Sequence, residues 1–166
     1  HDGDGCRDIS QEDADDDNDG YSDLNDACPT GIVGAANDYD GDGCKNSEDN
    51  DDDNDGVLDG SDQCTPGNLD WSSGTVTDHD SDGCKDDGED ADDDNDGVVD
   101  IADSCPKGEI NWPSNANTDF DGDGCKDGYE DEDDDGDGVP NFEDQCEDSV
   151  GSVNDVGCST SQGQNG

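Results

Sequence analysis

The chain has 166 residues, of which 53 are Asp or Glu and 5 are Lys or Arg, for a formal net charge of -48. With an apolar fraction of 23%, no Met and two Phe, it cannot bury enough apolar surface to offset its conformational entropy, so a conventional core is excluded. The charge excludes nucleic acid as a partner, because phosphates would be repelled. No apolar run approaches the length of a membrane span, so no membrane insertion is expected.

The acids fall in register along the chain. Asp2, Asp4 and Asp8, around Gly5-Cys6, form a fragment of an acidic frame. The first complete frame is Asp15–Asp26 (DDDNDGYSDLND), with carboxylates at positions 1, 3, 5, 9 and 12 (Asp15, Asp17, Asp19, Asp23, Asp26) and Gly at position 6. A second kind of frame carries cysteine directly after the glycine; it first supplies Asp38, Asp40, Asp42 and Asp49, around Gly43-Cys44. The first kind returns as Asp51, Asp53, Asp55, Asp59 and Asp62, and the second as Asp78, Asp80, Asp82, Asp86 and Glu89. Next come Asp92, Asp94, Asp96, Asp100 and Asp103, then Asp119, Asp121, Asp123, Asp127 and Glu130. The last frame supplies Asp133, Asp135, Asp137 and Asp144, with Asn141 at position 9. Beyond it, Val153–Cys158 keeps only Asp155 among its acids and is expected to bind no ion.

Oxygen ligands on alternate residues, a glycine for the sharp turn and a closing acid are what a calcium ion needs. Positions 1, 3 and 5 would supply side-chain oxygens. Position 7 (Tyr21, Val57, Val98, Val139) would supply a backbone carbonyl, and position 12 would close the shell. Calcium is thus the expected cofactor, at roughly 8 to 15 ions and affinities of ~10⁻⁴ to 10⁻³ M. Asp52 and Asp93, beside these ligands, either bridge to a second ion or stay solvated. Magnesium is disfavoured by its small octahedral shell. Zinc is disfavoured by two His and by cysteines that are not paired as CxxC. An EF-hand loop uses the same positions but needs flanking apolar helices, where this chain has cysteine and proline. No nucleophile stands beside a candidate base, so the chain is not expected to be an enzyme; His79, at position 2 of its frame, reads as solvated.

From Cys6 to Cys146, cysteines of like kind recur every 36 to 41 residues, the period of a stacked or linear array. The boundaries fall at 1–27 (a partial first repeat), 28–63, 64–104, 105–145 and 146–166 (a degenerate half-repeat and tail). Between the two cysteines of a unit lie the few large apolar groups: Ile32 and Val33; Leu69, Trp71 and Val76; Ile110 and Trp112; Val150 and Val153. With Gly and Pro nearby these read as short turns or two-stranded hairpins, and no stretch sustains a helical period. The expected fold is mostly irregular: a linear calcium-wrapped repeat array, disulfide-stapled, with little helix or sheet. Trp71 and Trp112 hold corresponding places, either as a small core over a disulfide or as a contact surface.

Nine cysteines in so acidic a chain point to an oxidising, extracellular setting. Pairing each Asp-x-Cys with the next Gly-Cys gives Cys28–Cys44, Cys64–Cys84, Cys105–Cys125 and Cys146–Cys158. This places a bridge in every metal-poor segment, each adding on the order of 3 kcal/mol. The alternative runs across the frames, as in Cys6–Cys28, and leaves Cys158 over. His1–Cys6 aligns with the frame of Asp78 from its second position onward, so the array is expected to continue beyond residue 1, in a longer chain or across a subunit boundary.

The pattern D-x-D-x-D-G-x-x-D-x-x-D-x-C-P, alternating with the second frame from His1 to Cys158, resembles the thrombospondin type 3 repeat in a prokaryotic-like array. The proline is replaced at Thr65 and Glu147. The last unit also looks like repeats that precede peptidoglycan-binding domains in bacterial outer-membrane proteins. The resemblance implies calcium ions wrapped by chain with little regular structure, and an extracellular structural or adhesive role. The function expected is a secreted or cell-surface spacer, matrix component or filament subunit that binds calcium and self-associates or packs on neighbouring repeats. The alternative is a calcium-dependent adhesin segment that recognises a partner or a mineral surface.

Overall fold

Backbone amides in this chain are claimed by carboxylates before a helix or a ladder can use them. The computed structural model describes residues 3, 5–6, 13–34, 36–146 and 157–158. In the frame that begins at Asp15, the Asp19 amide donates to Asp15 Oδ1 and to Asp17 Oδ1, both at 3.2 Å. The Gly20 amide donates to Asp15 Oδ2 at 3.2 Å, and the Tyr21 amide to Asp19 Oδ1 at 2.7 Å. The last of these recurs at 2.7 Å as Val57 to Asp55, Val98 to Asp96 and Val139 to Asp137. Short Asp side chains that accept from amides two to five residues on fold the backbone into successive turns. Hence no helix and no strand occurs among the described residues. The turns expected between the cysteines are present; strand ladders are not, because the amides that would build them are already bonded.

Each turn series is closed by position 9. Its amide donates to the carbonyl just before the frame: Asp23 to Ala14 at 3.0 Å, Asp59 to Asn50 at 2.9 Å and Asp100 to Ala91 at 3.0 Å. Its own Oδ1 accepts from the position 2 amide, at 2.9 Å for Asp16, Asp52 and Asp93. Asn141 makes the same two bonds: its backbone amide donates to Glu132 O and its side-chain Oδ1 accepts from the Asp134 amide, each at 2.8 Å. A neutral acceptor therefore serves at this position, which accounts for the one frame that lacks the acid.

The chain divides into two compact units, His1–Glu89 and Asp90–Gly166. The first holds the bridges Cys28–Cys44 and Cys64–Cys84, the second Cys105–Cys125 and Cys146–Cys158. Each bridge joins an Asp-x-Cys to the next Gly-Cys. Cys6 is exposed and takes no part in these four. Beside each of the first three bridges a backbone bond ties the two frames together: Ala27 to Asp42 O at 3.0 Å, Gln63 to Asp82 O at 2.8 Å and Ser104 to Asp123 O at 2.7 Å.

These ties bring the position 12 carboxylate of one frame against the glycine of the next. A Cβ on Gly43, Gly83, Gly124 or Gly157 would collide with Asp26, Asp62, Asp103 or Asp144 respectively. The glycines of the first-kind frames, such as Gly97, face open space and are required only by their positive φ, which is 100° for Gly97. Gly97→Ala is therefore expected to cost about 1–2 kcal/mol of backbone strain. Gly124→Ala, strained at φ 91° as well, also displaces Asp103 and should cost clearly more. Melting temperatures in calcium compare the two; equal losses would contradict the packing argument.

Among the described residues the apolar interior is small: Cys44, Cys84, Cys125, Cys158 and Trp112. Trp112 lies beneath the Lys126 ammonium, 5.7 Å from the ring centroid, whereas Trp71 is half-buried and donates from Nε1 to Asn68 O at 2.8 Å. The indoles thus act as local packing, with Trp112 the better covered. Lys45 is buried as well, its Nζ donating to Ile32 O at 2.5 Å and to Val33 O at 2.8 Å.

Candidate metal centres

Carboxylates occupy the place of a core. Thirteen aspartates are buried among the described residues, and the largest side chains below 2% exposure are all Asp: Asp17, Asp55, Asp78, Asp94, Asp96 and Asp119. Carboxyl oxygens lie within 4.8 Å of one another in the groups Asp15/Asp17/Asp19, Asp38/Asp40/Asp42, Asp51/Asp53/Asp55 and Asp78/Asp80/Asp82, among others. One such group includes Cys44, whose sulfur is bonded to Cys28 and is not available as a thiolate.

In several carboxylates of the first-kind frames the two oxygens are used differently. At position 1, Oδ2 of Asp51, Asp92 and Asp133 accepts from the glycine amide at 3.2, 3.1 and 2.8 Å, while Oδ1 is buried with no hydrogen-bond partner. At position 5, Oδ1 of Asp55, Asp96 and Asp137 holds the position 7 amide, and Oδ2 is left unsatisfied. At position 12, Oδ1 of Asp62 and Asp103 accepts from the cysteine amide at 2.6 Å, and again Oδ2 is left over. One oxygen shapes the loop; the other is presented to the interior. A buried acceptor without a partner costs about 1–3 kcal/mol, and more when charged. A hard cation is the species that satisfies several anionic oxygens at once, so the donor set fits calcium.

Charge acts in the same direction. Burial, and then repulsion from Asp53, Asp62 and Asp51, pushes the Asp55 carboxyl up to about 6. Burial likewise raises Asp96 and Asp103 to about 6, against Asp94 and other neighbouring acids. Asp40 and Asp121 reach about 6 for the same reasons. Among the described residues the recorded ion pair is Lys107 with Asp93, at 3.3 Å.

Asp2, Asp4 and Asp8 lie outside the described residues. Of the other sequence-derived ligands, positions 1, 3 and 5 come together in the frames of Asp15, Asp38, Asp51 and Asp78, and two further positions make contacts of their own. Position 9 (Asp23, Asp59, Asp86, Asp100, Asp127) holds the position 2 amide, as Asp86 does for His79 at 2.9 Å and Asp127 for Phe120 at 3.0 Å. Glu89 and Glu130 reach the segment between the cysteines. Glu89 accepts from the Asn68 amide at 2.9 Å and the Lys85 amide at 3.4 Å. Glu130 accepts from the Glu109 amide at 3.0 Å and the Lys126 amide at 3.2 Å. Glu48 does the same at Ile32, at 2.9 Å.

In the first of these frames Glu48, not Asp49, is thus the counterpart of Glu89 and Glu130. Asp49 matches Asp90 and Asp131: each accepts from the amide two residues on, at 3.1, 3.0 and 2.8 Å. Asp13 does so at 3.4 Å, and Oδ2 of both Asp13 and Asp131 is buried with no hydrogen-bond partner. Sequence reading missed Asp13, Asp90 and Asp131 because it took position 12, counted from the frame's first Asp, as the closing acid. Counting back two residues from the next frame's first Asp finds all four. Asp52, left open between two roles, accepts from Asn46 Nδ2 at 2.8 Å.

Residues 1–31 match the family model of the thrombospondin type 3 repeat. The match spans the frame of Asp15 together with Cys28-Pro29, and it agrees with the resemblance carried by the motif. No curated protein matches the chain. Thrombospondin type 3 repeats are calcium-binding structural repeats, and the acidic clusters and disulfides described above fit that character. Among the described residues no helix is long and apolar enough to cross a membrane.

Proposed function

We propose that the chain is an extracellular calcium-dependent structural repeat protein, used as a rigid spacer, a matrix component or a filament subunit. The carrying observation is the buried oxygen at positions 1, 5 and 12 that has no hydrogen-bond partner. In each first-kind frame the ion takes oxygens from positions 1, 3, 5 and 12, with the carbonyl of position 7. In the second-kind frames of Asp38 and Asp119, Asp49 and Asp131 respectively close the shell. The disulfides favour an oxidising compartment. Native mass spectrometry tests the reading: mass should rise in steps of single calcium ions, to at least one for each frame, while magnesium at equal concentration fails to fill them. Fewer ions than frames would refute it.

The adhesin reading draws support from a separate observation. Position 10 of three frames carries a large apolar side chain in solvent: Leu24 at 96%, Ile101 at 99% and Phe142 at 83% exposure. Such groups suit contact with a partner. Electron micrographs in calcium separate the two: regular polymers favour the structural role, dispersed monomers the binding module.

A further inference from the structure

In the frames of Asp51 and Asp133, position 4 looks back at the frame before it. Asn54, held in the left-handed region at φ 56°, donates from Nδ2 to Asp40 Oδ2 and, at 3.2 Å, to Asp42 Oδ2. These two carboxylates are positions 3 and 5 of the preceding second-kind frame. The approach recurs in the last frame, where Gly136 stands at position 4 with φ 62° and a Cβ would collide with the Asp121 carboxylate. There the same backbone position faces the same ligand, but no side chain spans the gap.

A second path joins the same two frames. Tyr39, at position 2 of the earlier frame, donates its hydroxyl to Gly67 O at 2.9 Å. The amide of Gly67 donates to Asp53 Oδ2 at 2.5 Å, and Asp53 is the residue beside Asn54. Asp40 and Asp42 are thus linked to the Asp51/Asp53/Asp55 cage from two sides.

We propose that Asn54 is a positioning residue that couples the ion site of Asp38/Asp40/Asp42 to that of Asp51/Asp53/Asp55, so that filling one pre-forms the other. The inference rests on the calcium reading above. A carboxamide suits this role because it offers two donors and no charge, and so orients two carboxylates without competing with the ion for them. An ion that fixes Asp40 and Asp42 fixes their donor; the donor fixes the left-handed residue at the centre of the next loop, and with it the aim of Asp53 and Asp55. The frames of Asp119 and Asp133, where glycine replaces the carboxamide, lack this link.

Hydrogen exchange read by mass spectrometry, on the full chain across a calcium titration, tests the coupling. In the wild-type chain, peptides over 38–49 and over 51–62 should gain protection at the same calcium concentration. Asn54→Gly and Asn54→Asp both tolerate the left-handed conformation, so a purely conformational role predicts no change in either. Loss of the donor should instead separate the two midpoints by on the order of tenfold, the scale of one hydrogen bond to a charged group. Tyr39→Phe, which cuts the parallel path, should widen the gap when combined with Asn54→Gly. Coincident midpoints in both Asn54 variants would overturn the coupling and leave calcium binding standing. No protection at any calcium concentration in the wild-type chain would overturn the calcium reading itself.

Discussion

Chelation of calcium should unfold this chain at neutral pH, with a radius of gyration that rises toward the roughly 40 Å of an unfolded chain of its length, short of it by what the disulfides restrain. The magnitudes decide the direction. Six aspartates are below 2% exposure, and the effective penalty for an uncompensated buried ion is several kcal/mol each. Domain stabilities total only about 5–15 kcal/mol. The four disulfides contribute on the order of 3 kcal/mol apiece, and they act mainly by restricting the unfolded chain. Among the described residues the apolar interior is one indole and the sulfurs, too little to hold clustered like charges together. Small-angle scattering in calcium and in excess chelator reads the change, and restoring calcium should reverse it with the bridges intact. A radius unchanged by chelation would remove the ions from the account of the fold.

Much of this was legible in the sequence because the ligand pattern and the bridge pattern share one register. The twelve-residue frames gave the clusters, and the alternation of Asp-x-Cys with Gly-Cys gave loops short enough to close locally. Two things were not legible. The first was that much of the carboxylates' capacity goes to backbone amides, which take both oxygens of Asp15 and of Asp119. Nothing in the letters shows that position 9 clasps the position 2 amide, although Asn141 was a clue, since a position that accepts Asn needs an acceptor. The second was the fate of Glu48, Glu89 and Glu130. A longer side chain reaches the segment between the cysteines, and Gly31, Gly67 and Gly108 leave space for it: a Cβ on any of them would strike the glutamate carboxylate and the preceding cysteine carbonyl. Contacts across 16 to 21 residues between a glutamate and a loop amide carry no local signature.

Acid should act oppositely on the ion-loaded and the ion-free chain. Asp40, Asp55, Asp96, Asp103 and Asp121 are raised to about 6 in the folded state by burial and neighbouring carboxylates. Their unfolded value is near 3.9. Raised groups bind protons more tightly when folded, so their protonation stabilises the ion-free fold. That contribution is fully present below about 3.9 and is lost as the pH rises through about 6. Chelated protein should therefore be most compact near pH 4 and expand between about pH 4 and 6 as the buried carboxyls ionise. Calcium requires the ionised form and must displace those protons. Its apparent affinity should fall below pH 6, by about tenfold per pH unit for each proton released on binding. Calorimetric titrations at pH 5.5 and 7.5, each in two buffers of different ionisation enthalpy, count the protons directly. Release at the lower pH and none at the higher is the expected result. Equal affinity at both, with no proton released, would mean that the buried aspartates do not face the ion.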